Sequence, residues 1–253
     1  MIGFDPKFQK EASRDIMKRT ALSLCLLMIV TATARGDDRT ITFAGLTWNV
    51  REEQGAPGPN RWSASDKSVW VDARGQLHMK IRRLGDLWYC AEISTQRSLG
   101  YGEYVFELAK NAEAYDPYVV VGLFTYLDDT HEIDIELSRW RVASDPAGQF
   151  VVQPGERPGN KRRFRLGLTG NYSTHAFTWR EGSVHFHSFH GHGEGNHLPA
   201  RTQLIEEWHC STPDVPKAGH EKLHINFWLA GGKPPTDARE VELIIKGVKV
   251  TKP

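Results

Sequence analysis

The chain has 253 residues, of which 25% are charged and 40% hydrophobic, with a formal net charge of +1. That balance suits one soluble globular domain with a sizeable core, and it argues against nucleic acid or an anionic membrane surface as the main partner. Eight Trp, eleven Phe and seven Tyr suffice for both a core and an aromatic-lined cleft, while 23 Gly and 13 Pro point to many turns.

The N-terminus reads as a leader. Met17-Lys18-Arg19 is basic, Ala21 to Val30 is apolar, and Ala32-Thr33-Ala34 is small. These are the three parts of a secretory signal peptide over residues 1–34, with cleavage expected after Ala34. Residues 1–16 are polar and overlong for a leader, which makes Met17 a candidate true start. The apolar run is too short to span a bilayer comfortably. The expectation is a secreted protein, extracellular or periplasmic, with no membrane attachment after cleavage. Residues 35–253 then form one domain without internal repeats. Cys25 lies in the leader, and Cys90 and Cys210 either pair or stay as two buried thiols.

Short apolar segments separated by turn signals follow in chain order. Ser68 to Val71 leads into the turn Asp72-Ala73-Arg74-Gly75, and Gln76 to Arg82 alternates with Leu77, Met79 and Ile81 on one side. Strands are predicted at Trp88 to Ser94, Tyr101 to Leu108 and Tyr118 to Tyr126, and again at Arg163 to Leu168 and His175 to Trp179. Arg180-Glu181-Gly182 predicts a hairpin turn before Ser183 to Phe189; Lys222 to Leu229 and Val241 to Val250 close the chain. Helical periodicity is nearly absent beyond the leader. The expected fold is all-β, a two-sheet antiparallel sandwich or jelly roll.

One heptad stands out. His131-Glu132-Ile133-Asp134-Ile135-Glu136-Leu137 alternates carboxylates with apolar residues, so Glu132, Asp134 and Glu136 project from one strand face. Like charges stacked this way repel, and at least one should hold its proton to unusually high pH. A proton held near neutrality beside an ionised carboxylate suits acid/base and nucleophilic work on a glycosidic bond. Glu132 and Glu136 have Cα atoms roughly 13 Å apart at about 3.3 Å per residue. Leaning side chains would close the carboxyl gap toward the roughly 5 to 5.5 Å of a retaining glycosidase. An acidic solvated face, or part of a Ca²⁺ site, is the bland alternative.

The acidic strand resembles the signature of glycoside hydrolase family 16. Gly100-Tyr101-Gly102-Glu103-Tyr104, Gly122-Leu123-Phe124-Thr125-Tyr126, His175-Ala176-Phe177-Thr178-Trp179 and Ile225-Asn226-Phe227-Trp228 resemble further strands of that family, in family order. The resemblance implies a curved jelly roll with a concave carbohydrate-binding cleft. It implies Glu132 as nucleophile, Glu136 as general acid/base and Asp134 as the carboxylate assisting the nucleophile. Asn226 and Trp228 match positions binding the sugar nearest the cleaved bond, and Glu92 matches a further subsite. The chain departs from the family at Thr130, where lichenase-type members carry Trp. It also has His131 for a common Asp, and Ser94 where an Arg often stands. No residue is inserted between Glu132 and Glu136, so a regular strand without a bulge is expected.

Other features carry blander readings. His185 and His187 share a strand face, yet no carboxylate or Cys sits at supporting spacing, so no metal is assigned and exposed or cleft-rim histidines are expected. No cofactor is expected; a Ca²⁺ ion, as in some family members, has no clear local ligand run here. Lys161-Arg162-Arg163 reads as a solvated strand edge, and Asn171-Tyr172-Ser173 fits a glycosylation sequon that arises often by chance. Trp62, Trp70, Trp88, Trp140 and Trp208 each read as core when taken singly, although Trp140, four residues past Glu136, is also placed to cap one end of a cleft. The implied activity is endo-acting, retaining hydrolysis of a β-linked polysaccharide by a monomer. A non-catalytic carbohydrate-binding jelly roll and a transglycosylase are the competing readings.

Overall fold

The structure, a computed structural model, describes residues 39–195 and 197–252; the expected leader lies outside the described residues. In chain order the strands begin with β1 (Thr40–Phe43), β2 (Leu46–Val50), β3 (Gln54–Gly55), β4 (Asn60–Arg61), β5 (Val69–Val71) and β6 (Leu77–Leu84). There follow β7 (Leu87–Tyr89), β8 (Ala91–Thr95), β9 (Gly102–Leu108), β10 (Val119–Asp128), β11 (His131–Leu137) and β12 (Gly148–Val152). The last are β13 (Lys161–Phe164), β14 (Ser173–Arg180), β15 (Ser183–His190), β16 (Leu204–Cys210), β17 (Lys222–Leu229) and β18 (Val241–Thr251).

Two large antiparallel sheets hold nearly all of them. The first runs β1-β2-β8-β17-β10-β11-β12-β13, and the second runs β16-β15-β14-β9-β18-β6-β5 with β7 paired to β6. This is the jelly-roll sandwich that the strand pattern implies. Alternation fills the space between the sheets. Val121, Leu123, Ile133, Ile135, Phe150, Ile225 and Phe227 come from the first sheet, and Phe106, Phe177, Trp179, Phe186 and Leu243 from the second. Each such side chain contributes about 1.5–3 kcal/mol on burial.

His175, in place of the aromatic residue of the resembling motif, is fully buried. Its two ring nitrogens meet Ser188 Oγ at 2.8 Å and Ser173 Oγ at 3.0 Å, so the polar ring is satisfied inside an apolar layer. Burial pushes this imidazole down to about 3, keeping it neutral.

The expected turns are present. Asp72 Oδ1 accepts from the backbone N–H groups of Arg74 and Gln76, and Gly182 closes the β14–β15 hairpin with φ +71°. Three expectations need correction. Trp88 to Ser94 is not one strand: β7 pairs with β6 in the second sheet, while β8 pairs with β2 and β17 in the first. The break falls at Cys90, which bridges to Trp62 and donates its thiol to Asn60 Oδ1 at 3.4 Å. An apolar run does not mark where a chain changes sheets, because partners distant in sequence set that point. The strand expected over Arg163 to Leu168 lies earlier, at β13, where charged residues suit an edge strand. β1 to β4, β12 and β16 lie where no strand was expected. Cys90 and Cys210 are separate buried thiols.

Candidate active site on the outer face of the first sheet

β11 alternates as expected. Ile133, Ile135 and Leu137 are buried in the core, leaving Glu132, Asp134 and Glu136 on the outer face. Its pairing with β12 is unbroken from Ile133 to Leu137, and with β10 from Glu132 to Leu137, so the acidic segment carries no bulge. Residues directly opposite in antiparallel strands share a face, and the register therefore builds the site row by row.

The row through Glu136 crosses to Gly122 on β10, Asn226 on β17 and Glu92 on β8. On its other side stands Gln149 of β12, whose amide donates to Glu136 Oε2 at 2.7 Å. The row through Asp134 crosses to Phe124, His224 and Ser94. Gln153 approaches Asp134 with its amide 3.4 Å from Oδ2, and Glu132 lies opposite Tyr126. Asp134 is 3% exposed, while the two glutamates keep partial solvent access.

The electrostatics follow from this crowding. Burial pushes Glu132 up to about 7; a hydrogen bond with Asp134 opposes the rise, and the charges of Glu136, Asp129 and Glu92 add to it. Burial also pushes Glu136 up to about 7, against the Gln149 amide and the positive charges of Lys161 and Arg163. Asp134 is held well above the usual carboxylate range by burial and by both glutamates. Among the described residues no cation forms an ion pair with any of the three. The set thus retains protons near neutrality, with amide groups and no ion-paired cation as its polar neighbours among the described residues.

Asn226 and Trp228 are two apart on β17 and share this face, 5% and 7% exposed respectively. Trp140 meets Trp228 edge to face, with ring centroids 5.8 Å apart. Trp140 and Arg141 both have positive φ, at 49° and 72°, which turns the chain sharply after β11 and brings the indole back over the sheet. The Trp140 N–H bond to Ser138 Oγ and the Arg141 N–H bond to the Pro117 carbonyl hold that turn. Asn226 Oδ1 and Trp140 Nε1 are buried without a partner among the described residues. One is an open acceptor and the other an open donor, which is the equipment for hydroxyl groups of a ligand. Glu92 is differently placed: it accepts from Arg51 at 2.6 Å and pairs with His224 Nδ1 at 2.8 Å.

Several residues of this face escaped the sequence reading. Gln149 and Gln153 lie on or beside β12, a strand with no alternation because all five of its residues are buried. His224 stacks on Phe124 with centroids 5.0 Å apart, and period-two counting back from Asn226 would have found it. Gly122 carries no side chain to flag, yet it leaves the space between Glu136 and Asn226.

Solved structures share this architecture. A Bacillus licheniformis beta-glucanase superposes with TM-score 0.62 at 20% identity, covering 87% of this chain and 100% of that one. A glycosyl hydrolase family 16 protein from Mycobacterium smegmatis gives TM-score 0.56 at 13% identity over 81% and 91% of the two chains. A Mycobacterium tuberculosis protein described as an immunostimulatory antigen and pseudo beta-1,3-glucanase gives 0.58 at 17%, again over 81% and 91%. No family model and no curated protein matches the sequence. The fold of glycoside hydrolase family 16, implied by the motif resemblance, is the fold of this chain.

Proposed function

We propose that the protein is a secreted, endo-acting glycoside hydrolase that cleaves a β-linked polysaccharide with retention of configuration. The observation carrying this reading is the outer face of β11, where Glu132, Asp134 and Glu136 form no ion pair among the described residues and Glu136 shares a row with Asn226, whose Oδ1 is buried without a partner among them. Glu132 attacks the anomeric carbon and forms a glycosyl-enzyme, while Glu136 gives its proton to the departing sugar oxygen. Glu136 then takes a proton from water, which displaces Glu132. Asp134, bonded to Glu132, positions the nucleophile and shares its proton. Asn226, Trp228 and Trp140 hold the sugar against the acids, and the Glu92–Arg51–His224 cluster borders the same face. Secretion rests on the leader-like pattern of residues 17–34.

The fold neighbour described as a pseudo-glucanase keeps one other reading in view, a jelly roll that binds glycan without cleaving it. The test is release of reducing ends from a panel of purified polysaccharides (mixed-linkage β-glucan, β-1,3-glucan, xyloglucan, agar). Glu132→Gln is expected to cut turnover of any accepted glycan by about a thousandfold or more. Binding without reducing ends from the native protein would replace hydrolysis with recognition, and added acceptor sugars diverted into longer products would make it a transglycosylase.

A further inference from the structure

The opposite face of the sandwich carries a second cluster that the groove chemistry leaves unused. On β15, Val184, Phe186 and Ser188 point into the core, so His185 and His187 stand on the outer face of the second sheet. β16 is the edge strand beside them, and its register places Glu207 opposite His187 and His209 opposite His185. Spacing within β15 alone showed no carboxylate; strand pairing supplies one from twenty residues away. His185 Nε2 and His187 Nε2 each lie 3.8 Å from Glu207 Oε2, and one donor atom from each of the three falls within 4.8 Å of the others. The two imidazole centroids are 4.1 Å apart, and His209 lies 5.7 Å from His185.

We propose that His185, His187 and Glu207 bind one divalent transition-metal ion of the zinc class. Two imidazoles and one carboxylate are a donor set that zinc favours, and His209 or water can complete four-coordination. Metal–ligand bonds of about 2.0–2.1 Å at tetrahedral angles need donor separations of about 3.4 Å. Each imidazole needs to close on Glu207 by a few tenths of an ångström from 3.8 Å, and all three donor atoms start within 4.8 Å of one another, a range that side-chain rotation covers. Neither His185 nor His187 makes a side-chain hydrogen bond among the described residues, and His187 Nδ1 is buried with no partner. Two ring systems held together without an internal hydrogen bond have coordination capacity to give a ligand. Arg201 is the competing group: its guanidinium takes both Glu207 oxygens, at 2.8 and 2.6 Å, from an exposed position. Uptake of the ion must displace it from Oε2.

The site stands on the far side of both layers from Glu132, so its test is independent of glycan turnover. Untagged full-length protein, cleared of metal at pH 7.5 where imidazoles are mostly neutral, is titrated with zinc chloride by calorimetry. Cobalt chloride serves as a second probe, read by its visible absorption. One ion per chain is expected, with a rise in melting temperature. His185→Ala is expected to lose binding at least tenfold, and His187→Ala to do the same. Arg201→Ala is expected to tighten binding severalfold, because the competitor for Glu207 is gone. A folded native protein that takes up no zinc at millimolar concentration overturns the proposal. So does undiminished binding in His185→Ala, or unchanged affinity in Arg201→Ala, which would remove Glu207 from the ligand set.

Discussion

Gly122 faces Asn226 across the β10–β17 pair so closely that a Cβ at residue 122 would meet the Asn226 amide. Its Cγ would lie 3.2 Å away and its Oδ1 nearer still. The missing side chain lets the amide oxygen lie over β10, in the same row as Glu136 on the next strand. Gly122→Ala is therefore expected to move the Asn226 side chain while leaving the strand intact. Loss of kcat/KM by about tenfold or more, with a stability change of about 1 kcal/mol or less, is the expected pattern. Steady-state kinetics beside thermal melts read both quantities, and undiminished kcat/KM would remove Asn226 from the site.

Three carboxylates held above their ordinary range make the folded state bind more protons than the unfolded chain between about pH 4.5 and 7. Stability from these groups consequently falls as pH rises through that window. Asp134→Asn removes the most buried of them. The variant should melt higher than the native protein above pH 7, by roughly 2–6 °C for about 1–2 kcal/mol, and gain nothing near pH 4. A uniform shift at both pH values would mean packing, not charge, caused it.

The proposed mechanism requires one glutamate ionised and the other protonated, so activity should follow a bell and decline as pH rises through about 7. Lys161 contributes positive charge near Glu136 that opposes the rise in its pKa. Lys161→Gln is expected to move the alkaline limb upward by a few tenths of a pH unit, since removing that charge favours the protonated acid. A downward displacement in the kcat/KM profile would contradict the assignment of Glu136 as proton donor.

His175 contributes in the opposite sense. Its folded value, near 3, lies below that of an unfolded histidine, so its contribution is complete above about pH 6.5 and is lost as pH falls toward 3. His175→Phe leaves the Ser173 and Ser188 hydroxyls without their ring partners and should lower stability by about 1–3 kcal/mol at pH 7.5. Denaturant melts across pH 4 to 7.5 should nevertheless show the variant with the shallower acid loss. An unchanged slope would show that His175 is not what titrates.

Legibility in the sequence tracked how local each cause is. The acidic face of β11 was readable because alternation of Ile133, Ile135 and Leu137 with three carboxylates is a property of seven neighbouring residues. The hairpin at Gly182 and the turn at Asp72 were readable for the same reason. β12 was not, since Gly148 to Val152 is buried on both faces and shows no period, and with it went Gln149, the donor to Glu136. The two-sheet division of Trp88 to Ser94 was invisible because Cys90 answers to Trp62 and Asn60, far away in the chain.

Sequence alone determined the all-β class, the outer face of β11 and the three acids on it, because side-chain direction along a strand is set by backbone geometry at each residue. Tertiary structure decided which groups those acids meet. The Gln149 amide, the unpartnered oxygen of Asn226 and the pairing of Glu207 with His187 all come from strand register between distant segments. Register is chosen by the packing of whole faces against one another, and no local pattern contains it.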